Sequence, residues 1–281
     1  MKGAPGTGPG LLDAIVAATR TIVAARRARV PLDVLERQAA RRAPRGAAFR
    51  EALGRRDRVN IIAECKRRSP ARGVLAPRYD PAERAAAYAR GGAAAVSVLT
   101  EPTFFDGSLA HLEAVRAAVD LPVLRKDFLL DEYQLMEARA CGADAVLLIV
   151  AALEQDRLGA LMARAAQLGL AALVEVHTRE ELDRAVAAGA AIIGVNSRNL
   201  RTLEVDLDVC ESLGARAPAG AVLVAESGVR SAADIVRLRA CGYSSFRVGE
   251  RLMTAPDVVG ALSALTGAGR VETATGREPS A

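Results

Sequence analysis

From residue 59 onward, short apolar runs alternate with helix-forming segments rich in alanine, glutamate and arginine. The apolar runs predict eight strands, at 59–66, 93–100, 122–126, 145–150, 171–177, 192–198, 221–227 and 244–249. Each strand is followed by a segment of helical character, and most of these segments end at glycine, the residue type that helix ends favour. The pattern therefore predicts eight consecutive βα units.

Eight such units favour a closed barrel, because right-handed crossover connections wind a parallel sheet onto itself. The alternative is an open, doubly wound sheet, which usually carries a glycine-rich dinucleotide-binding turn after its first strand. Here that position holds the run KRRSP at 66–70. The sequence therefore favours an α/β fold of the (β/α)8, or TIM barrel, type.

The segments on either side of the eight units are predicted to differ from the barrel. Residues 11–58 have apolar positions at helical spacing but no strand, which predicts a helical extension packed on the barrel. The barrel, at 59–267, is predicted to be the catalytic domain. Residues 1–10 are rich in Gly and Pro and residues 268–281 are small and polar, so we expect a disordered N-terminus and a flexible C-terminal tail.

The composition argues against several classes of function. The net charge is +5, but aromatic residues make up only 3% of the chain, so platforms for stacking nucleic-acid bases are nearly absent. Four cysteines without CxxC spacing and only two histidines argue against a zinc site and against a disulfide framework. No signal peptide or apolar run of ~18 residues is seen. We expect a cytoplasmic protein that binds neither nucleic acid nor membrane.

Lysine is so rare that its positions are informative. Of the 38 Lys and Arg residues only three are lysine, and two of these, Lys66 and Lys126, stand at predicted strand ends. An amine can release a proton whereas a guanidinium does not, so these positions suggest chemistry. Glu64 shares the strand face of Lys66. Arg125 and Asp127 flank Lys126 on the opposite face, and either set could face the barrel interior.

Polar residues also end the later strands. In (β/α)8 barrels the functional residues lie at these C-terminal strand ends, so we expect the side chains to converge on one mouth. Glycines after the seventh and eighth strands would let backbone N–H groups approach a phosphate. The polar residues at the ends of the fifth to seventh strands are Glu175, His177, Asn196, Arg198, Glu226 and Ser227, and the two glycines are Gly228 and Gly249. Of these, His177 is interpreted as a hydrogen-bonded wall residue without a chemical role.

The most specific motifs at these strand ends are IAECKRRSP at 62–70, SVLTE at 97–101, LRKDF at 124–128, LVEVH at 173–177, GVNSRNL at 194–200, AESG at 225–228 and VGERLM at 248–253. In these motifs the chain resembles the indole-3-glycerol-phosphate synthase family of tryptophan biosynthesis. The resemblance begins in the N-terminal extension at Leu12 and continues to about Met253. It implies a (β/α)8 barrel with a helical N-terminal extension, in agreement with the pattern above.

The resemblance implies one reaction. The substrate, 1-(2-carboxyphenylamino)-1-deoxyribulose 5-phosphate, closes a ring, loses CO2 and water, and yields indole-3-glycerol phosphate without a cofactor or metal. By this resemblance Lys126 protonates the ketone oxygen during ring closure. Glu175, Glu64 and Lys66 form the acid–base set for dehydration, and the sequence leaves open which of them is the acid and which the base.

The resemblance also implies a set of substrate-binding residues, namely Ser69, Asn196, Arg198, Glu226, Ser227, Gly228 and Gly249. The anthranilate carboxylate and the sugar hydroxyls are expected at the asparagine and the arginine. The phosphate is expected at the backbone around the two glycines, with help from Ser69 or Lys66. We therefore expect a small anionic sugar phosphate as the partner. The expected working form is a monomer, with a homodimer as the alternative.

Three positions depart from the family pattern. Ala71 replaces a serine that commonly follows the Ser-Pro pair, in a first loop that we expect to be mobile. Ser197 replaces a second asparagine, on the strand face directed away from the interior. Arg247 stands in the eighth strand where an apolar residue is expected, so it must extend between helices or pair with an acid.

Two other functions remain open. Two lysines in one mouth could form a Schiff base with a sugar phosphate, as in an aldolase. Alternatively, the barrel could be a binding or scaffold module without activity. Such a module has no need of Glu64, Lys66, Lys126 and Glu175 together, which favours the enzyme.

Overall fold

The computed structural model describes residues 10–269, in which eight parallel strands close into a barrel. Each strand pairs with its neighbours in chain order, and the first pairs with the eighth. The strands, numbered in words below, are Asn60–Cys65, Ala95–Leu99, Val123–Lys126, Ala145–Ile149, Ala171–Val176, Ile192–Asn196, Val222–Glu226 and Ser245–Val248. This arrangement confirms the predicted (β/α)8 barrel.

Helices precede the barrel and connect its strands. Several begin at a side chain that accepts hydrogen bonds from the first turn, as Asp80 and Ser231 do. The helices are α1 Leu11–Arg29, α2 Leu32–Ala39, α3 Gly46–Gly54, α4 Pro81–Arg90, α5 Pro102–Phe105, α6 Leu109–Ala118, α7 Glu132–Ala140, α8 Gln155–Gln167, α9 Arg179–Ala187, α10 Asp208–Gly214, α11 Ala232–Ala240, α12 Glu250–Thr254 and α13 Val258–Thr266.

Two short helices, α5 and α12, were not predicted from the sequence. The first depends on Glu101, whose carboxylate accepts the backbone N–H groups of Thr103, Phe104 and Phe105. A glutamate that ends a strand gives little sign in the sequence that it caps the following turn. The helix α12 begins directly after the eighth strand, at Glu250.

The strands are buried on both faces, which divides the core into two layers. Inward side chains such as Ile62, Leu124 and Leu173 fill the barrel. Outward side chains such as Cys65 and Val174 pack against the surrounding helices. The alternation of strand side chains therefore determines which polar residues reach the interior.

The N-terminal extension contacts both ends of the barrel. In α3, Phe49 and Leu53 are fully buried against the interior layer, and the carbonyl oxygen of Leu53 accepts hydrogen bonds from Asn60 and Ser245, at the N-terminal ends of their strands. In α1, Ile15 packs into the same interior layer from the other end. The extension thus covers the base of the barrel and also reaches its mouth.

The predicted flexible ends lie almost entirely outside the described residues. Gly10 precedes α1, and 268–269 belong to the short 3-10 turn Gly267–Gly269. The remaining residues of the two predicted segments, 1–9 and 270–281, are not described. None of the helices within 10–269 is long and apolar enough to cross a membrane.

A buried ion network occupies the outer face of the third strand. Arg125 is fully buried, and its guanidinium lies 2.9 Å from Asp127 and 3.1 Å from Glu137. It also donates to Thr100 at 3.1 Å. Lys126 consequently faces the interior, which decides between the two alternatives that the sequence left open.

This network leads to a prediction about stability. Replacing Arg125 by methionine is expected to lower the free energy of unfolding by about 3–5 kcal/mol, because buried Asp127 loses its cation and buried Glu137 is left with Arg26 at 3.5 Å. Urea denaturation of the wild type and the variant measures the difference. An exposed arginine at the end of α4 supplies the control variant Arg90→Met, which is expected to change stability by about 0.5 kcal/mol or less. Equal midpoints for the Arg125 variant and wild type would contradict the assignment.

Candidate active site

The C-terminal ends of the strands carry a layer of polar side chains that face the barrel interior. In most of these strands the residue before the polar one packs in the outer layer, and in the third strand Arg125 occupies the outer face, so the alternation directs the polar residue inward. The inward residues are Glu64, Lys126, Glu175, Asn196, Glu226 and Arg247, each at most 9% exposed. A cavity opens above them at the mouth of the barrel, the end at which (β/α)8 enzymes hold their active sites.

Glu64 and Lys66 form an ion pair at the end of the first strand, as their shared face predicts. Nζ of Lys66 lies 2.8 Å from Oε1 of Glu64. The guanidinium of Arg247 contacts the other oxygen of the same carboxylate. Burial opposes the charge on Glu64, but Lys66 and Arg247 outweigh burial and lower the pKa of Glu64 to about 2. Glu64 is therefore an anion at neutral pH, and Lys66 presents N–H donors to the cavity.

Lys126 and Glu175 face each other across the mouth. Nζ of Lys126 lies 3.8 Å from Oε2 of Glu175 and 5.7 Å from the ring centre of Phe128. Burial would raise the pKa of Glu175, but Lys126 and His177 oppose it and hold that pKa well below its ordinary value. A carboxylate that can accept a proton thus stands beside an amine that can donate one.

Neighbouring strands hold the carboxylate of Glu175 in place. Nδ2 of Asn196 donates to Oε1 of Glu175 at 3.1 Å, and Ser227 donates to Oδ1 of Asn196 at 2.7 Å. Nε2 of His177 lies 3.4 Å from Oε1 of Glu175, while its Nδ1 lies 3.1 Å from Glu181. Burial disfavours the imidazolium, but the two carboxylates raise the pKa of His177 to about 9. His177 is therefore a charged neighbour of Glu175, and its interpretation as an uninvolved wall residue was incomplete.

The rim of the cavity includes two of the predicted substrate-binding residues. Arg198 reaches the cavity from the loop after the sixth strand, where its guanidinium donates to the carbonyl oxygen of Leu203 at 2.8 Å. Ser69 lies in a two-stranded hairpin, Arg68–Ser69 with Gly73–Val74, that follows the first strand. Both side chains line the cavity, as do those of Asn196 and Ser227.

Three other predicted substrate-binding residues lie next to residues that line the cavity but are not part of its lining. Glu226 is fully buried, and its carboxylate binds Arg247. Gly228 has a φ of 76°, a conformation that favours glycine, and packs against the loop after the sixth strand. A Cβ on Gly249 would lie 2.5 Å from Oε1 of Glu64, so glycine lets the end of the eighth strand approach that carboxylate.

Arg247 belongs to the site, although the sequence predicted only that it extends between helices or pairs with an acid. Phe246 and Val248 pack in the outer layer, so the guanidinium between them points into the barrel. Its Nε and NH2 donate to Oε2 of Glu226 at 3.0 and 2.5 Å. Pairing with an acid is therefore confirmed, and the alternative of an extension between helices was wrong. The glutamates at the same level of the first and seventh strands are the signal in the sequence that could have indicated this.

Part of the cavity wall is apolar, which the sequence did not predict. The first turns of α1 contribute to it, together with side chains from the loops after the second and third strands. These residues are Leu11, Leu12, Ile15, Phe105 and Phe128. An apolar wall facing a charged layer suits a ligand with an aromatic ring at one end and anionic groups at the other.

The site favours acid–base chemistry on such a ligand. It brings together one amine–carboxylate pair from the first strand and a second from the third and fifth strands. Within residues 10–269, no group of three or more His, Cys, Asp or Glu side chains forms a candidate metal site. The expectation that the reaction needs neither metal nor cofactor stays a prediction.

Two solved structures share the fold of this chain at low sequence identity. Thiamine phosphate pyrophosphorylase from Pyrococcus furiosus matches with a TM-score of 0.58 and 18% identity, over 79% of this chain and 97% of that one. The N-acetylmannosamine-6-phosphate 2-epimerase from Clostridium perfringens matches with a TM-score of 0.55 and 16% identity, over 72% and 90% of the two chains. At these identities the similarity supports the barrel fold alone.

Sequence comparisons are more specific. The family model described as indole-3-glycerol phosphate synthase matches residues 12–265. The indole-3-glycerol phosphate synthase of Mycolicibacterium vanbaalenii is 52% identical over 92% of this chain and 94% of its own length. Indole-3-glycerol phosphate synthase 1 of Streptomyces coelicolor is also 52% identical, over 92% of this chain and 96% of its own. The chain therefore belongs to the indole-3-glycerol phosphate synthase family.

Proposed function

We propose that this chain converts 1-(2-carboxyphenylamino)-1-deoxyribulose 5-phosphate into indole-3-glycerol phosphate, CO2 and water, as a carboxy-lyase of tryptophan biosynthesis. The observation that carries the proposal is the approach of Lys126 to within 3.8 Å of Glu175 in a buried mouth with one apolar wall. Membership of the family supports the same reaction.

Ring closure requires the ring carbon that bears the carboxylate to attack the ketone carbon of the sugar. As that bond forms, the electrons of the C=O double bond move to the ketone oxygen, which must gain a proton. A buried ammonium group can stabilise the developing charge and supply the proton. We assign this role to Lys126, which lines the cavity beside the phenyl ring of Phe128.

Loss of CO2 from the same ring carbon then restores the aromatic ring. Dehydration follows, in which the new hydroxyl leaves as water and the carbon next to nitrogen loses a proton. We assign the proton acceptor to Glu175, because its lowered pKa keeps it ionised at neutral pH. Lys66, which the anionic Glu64 holds in place, is then proposed as the source of the proton for the leaving hydroxyl.

The substrate is proposed to lie with its aromatic ring on the apolar wall, where Leu12 and Phe128 line the cavity. Arg198 and Asn196 are then available to the anthranilate carboxylate and a sugar hydroxyl. The phosphate is proposed at the opposite rim, near Ser69 and the backbone around the two glycines that follow the seventh and eighth strands. Lys66 is the cation of that rim.

The experiment that tests this function follows the fluorescence of the indole product when purified protein meets the substrate. Turnover is the expected result, and its absence in folded protein would contradict the proposal.

Two lysines near the cavity also favour the aldolase alternative, so borohydride is added during incubation with a ketose phosphate. A covalent adduct would support a Schiff base, whereas substrate binding without turnover would support a scaffold.

A prediction concerns Arg198, whose guanidinium is proposed to hold the carboxylate of the substrate. Replacing it by alanine is expected to raise KM by about 10- to 100-fold with a smaller change in kcat, since a charge-assisted hydrogen bond contributes about 1.5–3 kcal/mol. Steady-state kinetics measure both constants. Arg201, exposed in the same loop, supplies the control variant Arg201→Ala, which is expected to keep the wild-type KM. A fall in kcat alone would argue against a binding role.

We also propose that the working form is a monomer in the cytoplasm. Light scattering of the purified protein at assay concentration measures the molar mass. A mass of twice the 29.4 kDa of the chain would support the homodimer instead.

A further inference from the structure

Arg247 contacts carboxylates from three other strands of the barrel. Its guanidinium binds Glu64 of the first strand and Glu226 of the seventh. NH2 also lies 3.5 Å from Oε2 of Glu175 in the fifth strand. Glu64 and Glu226 are at most 2% exposed, and Arg247 is the cation that binds Glu226.

Two oxygen atoms of this cluster are buried without a hydrogen-bond donor among the described residues. They are Oε1 of Glu226 and Oε2 of Glu175. Buried polar atoms are almost always hydrogen-bonded. Oε2 of Glu175 has Arg247 and Lys126 at 3.5 and 3.8 Å, whereas Oε1 of Glu226 has no such partner among the described residues. A proton on Glu226 that is donated to Glu175 would satisfy both oxygens. Gly194 in the sixth strand makes room for the Glu226 side chain, because a Cβ at this position would overlap Oε1 of Glu226.

We propose that Arg247 is a positioning residue, which fixes Glu64 and Glu226 in the barrel mouth and thereby directs a protonated Glu226 to donate a hydrogen bond to Glu175. Only the expected effect of Arg247 on turnover rests on the function proposed above. Its structural part concerns the charge state of a carboxyl group and holds for the protein without substrate. Glu175 is the residue through which Arg247 acts on the reaction.

The ionisation of Glu226 agrees with this arrangement. Burial raises the pKa of Glu226, and the negative charge of Glu175 raises it further. The positive charge of Arg247 lowers it, and the resulting pKa is about 8. Because the value is raised, Glu226 remains protonated at neutral pH and ionises as the pH rises through 8. Removing Arg247 takes away the group that favours the charged form, so the ionisation of Glu226 is expected to move to still higher pH.

Other charged groups also face this cluster from the packed elements, namely Glu64, Lys66, Lys126, Glu175, His177 and Arg198. Of these, His177 has a pKa raised to about 9, which lies close to that of Glu226. A pH–rate profile alone would therefore not identify the ionising group. Cys210, on the outer side of Glu226, stays a neutral thiol because burial raises its pKa to about 12.

The test therefore observes the carboxyl carbons directly. Protein labelled with 13C at the glutamate side-chain carboxyl carbon is titrated by NMR, and the Glu226 signal is identified by its loss in Glu226→Gln. We expect that signal to titrate near pH 8 in the wild type. In Arg247→Leu it is expected to titrate at least about one unit higher. In Arg247→Lys it is expected to titrate at an intermediate pH, because lysine keeps the charge but not the two N–H donors that share Oε2 of Glu226.

Kinetics of the same variants report on positioning. Arg247→Leu is expected to lower kcat by about 10²-fold, with KM changed far less, because the carboxylates shift relative to the substrate. Arg247→Lys is expected to recover part of the loss. If Arg247 acts through Glu226, the cost of Arg247→Leu is smaller in a Glu226→Gln background than in the wild type. The double variant also removes the unpaired carboxyl, so it stays informative if Arg247→Leu fails to fold.

Three results would overturn the proposal. The first is a Glu226 signal that titrates near the ordinary glutamate value in the wild type. The second is an unchanged titration in both Arg247 variants. The third is a rise in KM with unchanged kcat, which would make Arg247 a substrate contact. Wild-type protein without turnover would contradict the proposed function, while the NMR titration would still decide the charge state of Glu226.

Discussion

Replacement of Lys126 by methionine is expected to lower kcat by about 10²–10⁴-fold, the usual contribution of a positioned general acid. Methionine has a similar length and no charge, so the side chain still fills its place beside Phe128. What is lost is the proton for the ketone oxygen and the cation 3.8 Å from Glu175. Product fluorescence under saturating substrate measures kcat, and thermal unfolding monitors whether the fold is retained.

Lys126→Arg separates the proton from the charge. Arginine keeps a cation next to Glu175, but its guanidinium does not release a proton at neutral pH. If Lys126 acts as a general acid, the arginine variant loses most of the activity that the methionine variant loses. Activity close to wild type in Lys126→Arg would show that charge alone suffices. Activity close to wild type in Lys126→Met would remove Lys126 from the mechanism.

The sequence predicted the barrel and many of the mouth residues because both depend on strand alternation. In a strand, Glu64 and Lys66 must share a face, and the structure gives them an ion pair of 2.8 Å. The same rule left two solutions for the third strand, since alternation fixes which residues share a face but not which face is inside. The fully buried network around Arg125 takes the outer face, and this directs Lys126 inward.

Contacts between elements far apart in the chain could not be derived in this way. The apolar face of α1 is visible in the sequence, yet helical spacing does not say which surface Leu11 and Ile15 cover. Arg247 presents a similar difficulty. A single arginine in an apolar strand predicts an acidic partner but does not identify it, and the partners come from the first, fifth and seventh strands. Closure of the barrel places the first and seventh strands on either side of the eighth, and it brings Glu175 of the fifth strand within reach through the interior.

The second large effect is expected for Glu175, the proposed proton acceptor in dehydration. Glu175→Gln keeps the size of the side chain and its place beside Asn196, but an amide cannot accept the proton. We expect kcat to fall by about 10²–10⁴-fold. The matched control is Glu181→Gln, which removes the other carboxylate that contacts His177 and is expected to retain most of the activity.

The pH dependence gives an independent test of the same residue. The pKa of Glu175 lies well below its ordinary value, so the ionised base persists as the pH falls through the usual glutamate range. The group therefore favours the folded state at pH values above that range, and this contribution is lost as the pH falls towards its lowered pKa. In the wild type, kcat/KM is expected not to fall through protonation of Glu175 until the pH is below 4.5. A decline in kcat/KM centred near pH 6 in the wild type, absent from Glu175→Gln, would contradict the lowered pKa. It would show that Glu175 titrates above the usual glutamate range.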